Sequence, residues 1–294
     1  MKILRFALCS VLLCSAFAKA YAQEEVTIQV IPVQNQIYML QGRGGNIGLS
    51  IGEDGVFMID DQFANLSDKI LTAIRTLSDQ PLRFLVNTHH HGDHTGGNAN
   101  FKEAGALLVA HDNVRGRLTE NSKGSKAALP IITFSEDMTL FLNDNDILVT
   151  HVHNAHTDGD ALVYFTQSNV LHTGDTFFNG RFPYIDLKSG GSLSGDIAAA
   201  KRGLQIINED TKIIPGHGSI ASKADYQAYY EMLIGIKEQV SKAIAEGKSE
   251  EEVAQMESLT SIFYTDAEMA DNFITGERIR RTAYQSLVAE QQSN

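Results

Sequence analysis

One six-residue segment concentrates histidine more than any other part of the chain. The segment is His89-His90-His91-Gly92-Asp93-His94. It follows Asn87, Thr88 and, before them, an apolar run, residues 82–86, which has the composition of a buried β-strand. In an extended segment alternate side chains face the same way, so His89, His91 and Asp93 are predicted to converge while His94 turns in at the start of a helix. Gly92 is expected to permit the tight backbone of this turn. The segment therefore predicts a strand that ends in a functional loop.

The side chains of this loop are of the types that bind metal ions. Imidazole and carboxylate groups are ligands that divalent zinc, iron and manganese accept. The loop carries more such groups than one metal ion usually takes from a single segment, so two metal ions are predicted. Three further candidates each follow a short predicted strand, where open α/β folds place their sites. They are His156 in the run 154–160, Asp175 in the run 173–176 and His217 in the run 215–218.

The rest of the chain alternates strand and helix patterns. Four β-rich runs separated by turn residues, 26–33, 36–41, 46–51 and 56–60, predict an antiparallel meander. Ser249 and Glu252 form a capping-box pattern that predicts a late helix. No linker-like or repetitive segment interrupts the chain, which favours one α/β domain over residues 23–294 with a helical C-terminal region. Further strands are predicted at 82–86, 107–110, 138–142, 147–152, 161–165, 170–171 and 212–214, and helices at 65–77, 112–118, 196–207 and 226–244.

The composition is that of a globular protein and limits its partners. Of the 294 residues, 43% are hydrophobic, which is enough for a substantial core. The formal net charge of -12 leaves no basic face to displace counterions from a nucleic-acid backbone. A small-molecule substrate is therefore expected rather than nucleic acid, and the sequence does not define the oligomeric state.

The first 22 residues have the pattern of a secretory signal peptide. A basic start precedes an apolar run over residues 6–18, and Ala20-Tyr21-Ala22 fits the small-x-small cleavage pattern. The apolar run is too short for a bilayer span, which needs about 20 residues. Cleavage there would remove both cysteines, Cys9 and Cys14. We therefore expect a periplasmic or secreted protein that has no thiol and no membrane association after signal removal.

The histidine run and its distant companions also resemble a known family. The pattern His89-x-His91-x-Asp93-His94, with His156, Asp175 and His217 downstream, resembles the metallo-β-lactamase superfamily of binuclear metallo-hydrolases. The likeness extends over nearly all of residues 23–294. It implies a four-layer αββα sandwich with the site at one edge. It further implies one metal ion on His89, His91 and His156, a second on Asp93, His94 and His217, and Asp175 as the bridging ligand.

The resemblance implies two zinc ions, with iron or manganese as alternatives, and a hydrolytic reaction. A hydroxide held between two cations is available near neutral pH because metal coordination lowers the pKa of water from 15.7 to about 7. This hydroxide would attack a carbonyl or similar electrophile, while Asp93 orients it and takes its proton. Arg181, Tyr184 and Lys188 follow Asp175 in a loop that could line the substrate pocket, where a basic group could hold a substrate carboxylate.

The sequence leaves several substrate classes open. Well-known β-lactamases of the superfamily have Cys where this chain has Asp175, whereas Asp is typical of its thioester, lactone and phosphoester hydrolases. The glutathione-thioester hydrolases are normally intracellular, which the predicted signal peptide disfavours. An exported zinc hydrolase of a cyclic amide, lactone or ester is therefore predicted, and β-lactam hydrolysis is compatible with it. The alternatives are an iron-dependent persulfide dioxygenase, a thioesterase, and a non-catalytic metal- or partner-binding protein that acts through Arg278, Arg280 and Arg281.

Overall fold

Two β-sheets form the centre of the protein in the computed structural model, which describes residues 26–121 and 125–292. The predicted signal peptide, residues 1–22, lies outside the described residues. The strands are β1 (Gln29–Gln34), β2 (Ile37–Gln41), β3 (Ile47–Gly52), β4 (Gly55–Ile59), β5 (Leu82–Val86), β6 (Leu107–His111), β7 (Ile132–Phe134), β8 (Asp137–Leu142), β9 (Asn145–His151), β10 (Ala161–Phe165), β11 (Val170–His172) and β12 (Lys212–Ile214).

The first sheet contains seven strands in the order β1 to β7, and the second contains five in the order β12-β11-β10-β9-β8. The predicted meander is confirmed, since β1 to β4 pair antiparallel. From β4 to β7 the pairing is parallel, as it is between β11 and β12. The carboxyl ends of these parallel neighbours therefore meet at one edge of each sheet, which is where the polar loops emerge.

Helices cover the outer face of each sheet. The capping box at Ser249 is present, and a second one at Ser222 and Asp225 starts a helix three residues before the predicted bound of Tyr226. The helices are α1 (Ser67–Arg75), α2 (Gly92–Thr95), α3 (Asn98–Glu103), α4 (Asp112–Asn121), α5 (Leu193–Ile206), α6 (Lys223–Ala245), α7 (Glu250–Gln255) and α8 (Gly276–Gln292), with short 3-10 turns at 64–66, 174–176, 187–189 and 257–259.

The two sheets and the helices on their outer faces form four layers, and three apolar clusters pack between them. The clusters follow from the two-residue period of the strands, whose successive side chains face opposite sides of the sheet. In β4, Phe57 and Ile59 face the second sheet, whereas Val56 and Met58 face the helices that cover the first sheet. The second sheet divides its side chains in the same way, with its other face packed against α5, α6 and α8. The predicted αββα sandwich with a helical C-terminal region is therefore confirmed.

The C-terminal helices use their arginines within the fold. Arg280 is almost fully buried and pairs with Asp266, and Arg281 pairs with three glutamates, at positions 250, 251 and 277. Arg278 lies over the rings of Tyr184 and Phe273. Arg280 is therefore not accessible to a partner, whereas Arg278 is exposed and Arg281 is partly exposed. Within the described residues, no helix combines the length and apolar character that crossing a membrane requires.

Candidate metal centre

The loop after β5 supplies four of the seven predicted metal ligands. His89 and His91 lie in the turn after the strand, and α2 begins immediately at Gly92, so Asp93 and His94 are neighbours on one helical turn. The prediction that Asp93 continues an extended segment with His89 and His91 is therefore wrong, because the chain turns helical one residue earlier. Gly92 is also not required by the turn, since it lacks a positive φ and an added Cβ would meet no atom within 4 Å.

The remaining three candidates come from loops of the second sheet. His156 lies in the loop between β9 and β10, Asp175 lies in the 3-10 turn after β11, and His217 follows β12. Because β11 and β12 are parallel neighbours, Asp175 and His217 leave the sheet at the same edge. All seven predicted ligands are brought together between the two sheets at this edge.

The seven side chains form two groups. In each group the possible ligand atoms all lie within 4.8 Å of one another. The Nε2 atom of His156 is 2.9 Å from Nδ1 of His91, and Nε2 of His217 is 3.3 Å from Oδ2 of Asp93. The first group is His89, His91, His156 and Asp175, and the second is Asp93, His94 and His217.

Asp175 is placed between the two groups, with one oxygen towards each. Its Oδ2 lies 3.8 Å from Nε2 of His89 and 3.6 Å from Nε2 of His156. Its Oδ1 lies 3.1 Å from Nε2 of His94 and 3.5 Å from Nε2 of His217. This is the arrangement that a bridging carboxylate requires.

The donor set fits a pair of divalent metal ions. Two ligands that each lie about 2.1 Å from a tetrahedral ion are separated by about 3.4 Å, which is close to the spacings in both groups. Three of the buried ligand atoms have no hydrogen-bond partner of normal geometry in the described part of the chain: His89 Nε2, His94 Nε2 and Asp175 Oδ1. Unpartnered buried polar atoms are costly, and metal ligation would satisfy all three.

Two glycines allow the ligands to approach this closely. A Cβ on Gly45 would lie 2.1 Å from the ring of His94, and a Cβ on Gly216 would lie 2.1 Å from Oδ1 of Asp175. Any side chain at either position would displace a ligand from its group. Neither glycine was predicted as a site residue, because the close approach exists only in the folded chain.

Hydrogen bonds fix the orientation of the ligand rings. Asp60 Oδ2 accepts a hydrogen bond from Nδ1 of His94 at 2.8 Å, and the same carboxylate accepts two more from Thr88. Nδ1 of His156 donates to the backbone oxygen of Tyr184. Such partners fix the tautomer of a ligating imidazole and leave the other ring nitrogen free for metal.

Asp186 contacts one ring nitrogen of His91, while the other ring nitrogen faces His156. His91 Nε2 lies 3.1 Å from Oδ2 of Asp186, so Nδ1 is the nitrogen that faces His156. His90, His91 and Asp186 also lie close enough to form a third possible ligand group. We assign Asp186 to the orientation of His91, because its Oδ1 already accepts hydrogen bonds from the backbone of the 3-10 turn 187–189.

The protonation states in the site suit metal binding. Burial lowers the pKa of His89 well below its usual value and lowers that of His156 to about 4, so both rings are neutral. Burial alone would raise the pKa of Asp175, but His94 and His217 hold it well below its ordinary value. The site therefore offers an ionised central carboxylate and, at His89 and His156, neutral imidazoles, which are the forms that bind metal. Burial would lower the pKa of His94 and His217, but the Asp175 carboxylate raises the first well above its usual value and the second to about 9, so both rings would release a proton when metal binds.

A cavity of about 480 Å³ opens directly over the two groups. Arg181 and Tyr184, predicted as substrate contacts, both line it, whereas Lys188 is not among its lining residues. Lys188 lies in the 3-10 turn 187–189, where its side chain is exposed. Apart from Gly92 and the candidate ligands, the rest of the cavity wall is aromatic or aliphatic: Phe63, Phe178, Phe182, Phe273 and Ile274.

Several other polar residues near the site have structural roles. Asp158 forms a two-pronged ion pair with Arg117, and Asp160 accepts hydrogen bonds from the backbone and hydroxyl of Thr157. His172 is fully buried, and its Nδ1 accepts a hydrogen bond from the backbone of Gly174, next to Asp175. His172 therefore shapes the turn that presents the bridging carboxylate.

Asp60 provides a direct test of the metal centre. We expect Asp60→Asn to weaken metal binding by about 10- to 100-fold, because the amide cannot accept all three hydrogen bonds and loosens His94. Competition titration against a chromogenic chelator measures the change. Asp61→Asn is the matched control, since Asp61 is equally buried but, among the described residues, its side chain accepts a hydrogen bond from the backbone of Gly97 alone. Equal affinity in wild type and Asp60→Asn would contradict the assigned role.

The comparison with known families agrees with this architecture. The model of the metallo-β-lactamase superfamily matches residues 40–219, and the chain belongs to that superfamily. All seven candidate ligands fall within the matched segment, whereas α6, α7 and α8 follow it.

Curated relatives match about half of the chain. The hydroxyacylglutathione hydrolase of Polaromonas sp. is 33% identical over 138 residues, which are 46% of this chain and 48% of the relative. The hydroxyacylglutathione hydrolase of Pelagibacter ubique is 30% identical over 148 residues, covering 46% of this chain and 52% of the relative. The chain thus spans about half the length of these relatives.

Solved structures share the fold at low identity. A metallo-β-lactamase from Pontibacter korlensis aligns with a TM-score of 0.63 and 21% identity, covering 71% of this chain and 99% of that structure. A stereoselective inverting sec-alkylsulfatase from Pseudomonas sp. aligns with a TM-score of 0.71 and 14% identity, covering 88% of this chain and 50% of that one. At these identities the likeness establishes the fold alone.

Proposed function

We propose that the protein is an exported, binuclear zinc hydrolase that cleaves a carboxylic ester, a lactone or a cyclic amide. The observation that carries this proposal is the position of Asp175, which directs one carboxylate oxygen at each of two ligand groups beneath an open cavity. Export is supported only by the sequence pattern of residues 1–22. Zinc is supported by the mixed imidazole and carboxylate donors, which also accept iron and manganese.

The chemistry that the metal ions supply, when bound, is Lewis-acid polarisation of the substrate and a lowered pKa of water. Asp93 then provides the base, because its carboxylate is partly exposed and lines the cavity. Burial would raise the pKa of Asp93, but the hydrogen bond from His217 and the charge of His94 lower it below its ordinary value. Asp93 is therefore ionised at neutral pH and can orient a water molecule and accept its proton.

The cavity wall separates the reacting carbonyl from bulk water and contributes one cationic group. Within the described residues Arg181 forms no ion pair, so its guanidinium is available to a substrate carboxylate. Around it the wall is aromatic, which raises the strength of such an ion pair by excluding water. We therefore include an anionic group among the features of the substrate.

Thioester hydrolysis is the second candidate. Its support is the name hydroxyacylglutathione hydrolase carried by the curated relatives, together with the aspartate, rather than cysteine, at position 175. An iron-dependent persulfide dioxygenase and a non-catalytic metal-binding protein remain the rivals outside the hydrolases.

One experiment separates these proposals. Protein expressed from the full sequence in a secreting host is analysed for its N-terminus, its metal content and its activity on β-lactams, acyl-homoserine lactones, carboxylic esters, thioesters and phosphodiesters. We expect cleavage after Ala22, two zinc ions per chain, and hydrolysis that a chelator removes and zinc restores. One iron ion with no zinc, or no turnover of any substrate by zinc-loaded protein, would refute the hydrolase.

Replacing Arg181 tests whether the substrate carries an anionic group that binds this side chain. We expect Arg181→Gln to raise KM by about tenfold for a substrate that carries a free carboxylate, because one charge-assisted hydrogen-bonded pair is lost. The same variant should leave KM nearly unchanged for the methyl ester of that substrate. Steady-state kinetics on the two compounds measures the difference. An equal change in KM for both would show that Arg181 does not bind the carboxylate.

A further inference from the structure

The C-terminal region supplies part of the wall above the metal centre. Phe273 and Ile274, which precede α8, both line the cavity, and both lie beyond the segment matched by the family model. Phe273 is 69% exposed, whereas the cavity residues Phe178 and Phe182 are at most 5% exposed. Phe273 is therefore a large apolar side chain at the cavity rim that the described part of the chain leaves mostly exposed.

Phe273 is held in a defined orientation at this rim. Its ring packs edge-on against the ring of Tyr184 at 5.4 Å, and the guanidinium of Arg278 lies 4.4 Å from its centroid. Arg278 also donates a hydrogen bond to the backbone oxygen of Phe273 and covers the ring of Tyr184. Ring contacts of this kind stabilise one relative orientation, so the exposed ring is preorganised rather than free to turn.

A continuous line of rings connects Phe273 to the metal centre. The Tyr184 ring stacks at 5.8 Å on the ring of His91, and the same tyrosine contacts Phe273 edge-on at 5.4 Å. A substrate whose carbonyl lies at the metal centre would therefore extend its remaining atoms along Tyr184 and reach Phe273. The cavity that Phe273 lines combines apolar and aromatic side chains with a few polar groups, as small-molecule sites typically do.

We propose that Phe273 selects substrates that carry an aromatic ring, separated from the reacting carbonyl by a short alkyl chain. This inference rests on the proposed hydrolysis for its choice of reacting group. It assigns substrate preference to the C-terminal region, while the superfamily core holds the metal ligands. Stacking of the substrate ring on Phe273 would cover the exposed face that the fold leaves open.

Binding of two carboxylates to zinc-loaded protein tests the inference without turnover. Butyrate and 4-phenylbutyrate share the carboxylate and the alkyl chain and differ only in the ring. By isothermal titration calorimetry we expect wild type to bind 4-phenylbutyrate about tenfold more tightly than butyrate, as a well-packed aromatic contact allows. Phe273→Ala should lose this preference, and Phe273→Leu, which keeps apolar area, should retain part of it.

Phe141→Ala is the matched control, because Phe141 is 72% exposed on β8 and does not line the cavity. It should keep the full preference for the ring. Absence of a preference in wild type, or its retention in Phe273→Ala, overturns the inference. Ring preference that depends on Phe273, in a protein that hydrolyses no substrate of the panel, would instead refute the hydrolase and keep the aromatic subsite. Hydrolysis of a panel substrate without any ring preference would keep the hydrolase and refute the aromatic subsite.

Discussion

Asp175→Ala is expected to abolish hydrolysis, with kcat/KM at least about 1000-fold below wild type, and to reduce the metal content from two ions to one or none. The physical reason is that Asp175 directs one carboxylate oxygen at the histidine nitrogens of each ligand group. Its loss would remove a ligand shared by the two proposed metal sites, and Lewis-acid stabilisation contributes several kcal/mol to such reactions. Metal analysis and kinetics on the same preparation measure the two effects together.

The control for this variant is Asp196→Asn. Asp196 is a fully buried carboxyl group outside both ligand groups, and its Oδ2 accepts a hydrogen bond from the hydroxyl of Tyr229. Burial raises the pKa of Asp196 well above its ordinary value, so the group is neutral and an amide resembles it closely. Asp196→Asn should keep both metal ions and most of the activity. Retention of two ions and full turnover in Asp175→Ala would disprove the bridging role.

Variants of the other ligands should each disrupt one ligand group rather than both. His91→Ala removes a ligand of the first group only, and His217→Ala removes one of the second only. We expect each to lose metal and hydrolysis together while the fold remains, as judged by an unchanged far-UV circular dichroism spectrum. Full activity of either variant on every substrate would contradict the two-ion arrangement.

The metal ligands could be predicted from sequence because their residue types and their positions after strands are both local features. His156, Asp175 and His217 each follow a short apolar run, and the carboxyl ends of neighbouring strands meet in the folded sheet. The start of α2 at Gly92 was not predictable in this way. Strand and helix are both compatible with a short polar run, and the helical turn that separates Asp93 from His91 is set by the loop as a whole.

The residues that support the ligands carried a weaker signal. Asp60 follows β4, and β4 pairs in parallel with β5, so Ile59 is the partner of Val86 and Asp60 comes to lie beside Thr88. This relation depends on which strands pair, and the sequence pattern alone does not specify that. Asp60 also adopts a positive φ of 60°, which is uncommon for a residue other than glycine and is found disproportionately at functional sites.

The contribution of the C-terminal region to the site was hidden for a different reason. Phe273 lies in an irregular segment between a 3-10 turn and α8, more than fifty positions after His217 in the chain. No periodic pattern marks it, and a single phenylalanine in such a segment is most simply read as part of a core. Only the packing of α8 against the rest of the fold brings it to the cavity rim.

That packing depends on Arg280, for which we expect the largest loss of stability. Its side chain is 1% exposed and donates to the backbone oxygen of Ala254, to the hydroxyl of Thr260 and, through two nitrogens, to Asp266. Arg280→Met would leave these three acceptors without their donor. Breaking a buried charged network by removing one partner typically costs about 3–5 kcal/mol, and the 40% exposure of Asp266 places this case near the lower end.

Thermal unfolding of the two α8 variants Arg280→Met and Arg281→Met checks this expectation. For Arg280→Met the midpoint should fall by roughly 5–10 °C, given the usual relation between free energy and melting temperature at this chain length. Arg281 makes ion pairs that are partly or largely exposed and so are screened by water and salt, and Arg281→Met should therefore lower the midpoint much less than Arg280→Met. Equal shifts in the two variants would mean that the buried network is not what fixes α8. If it does fix α8, Arg280→Met should also weaken the preference for 4-phenylbutyrate, because Arg280 anchors the segment that presents Phe273.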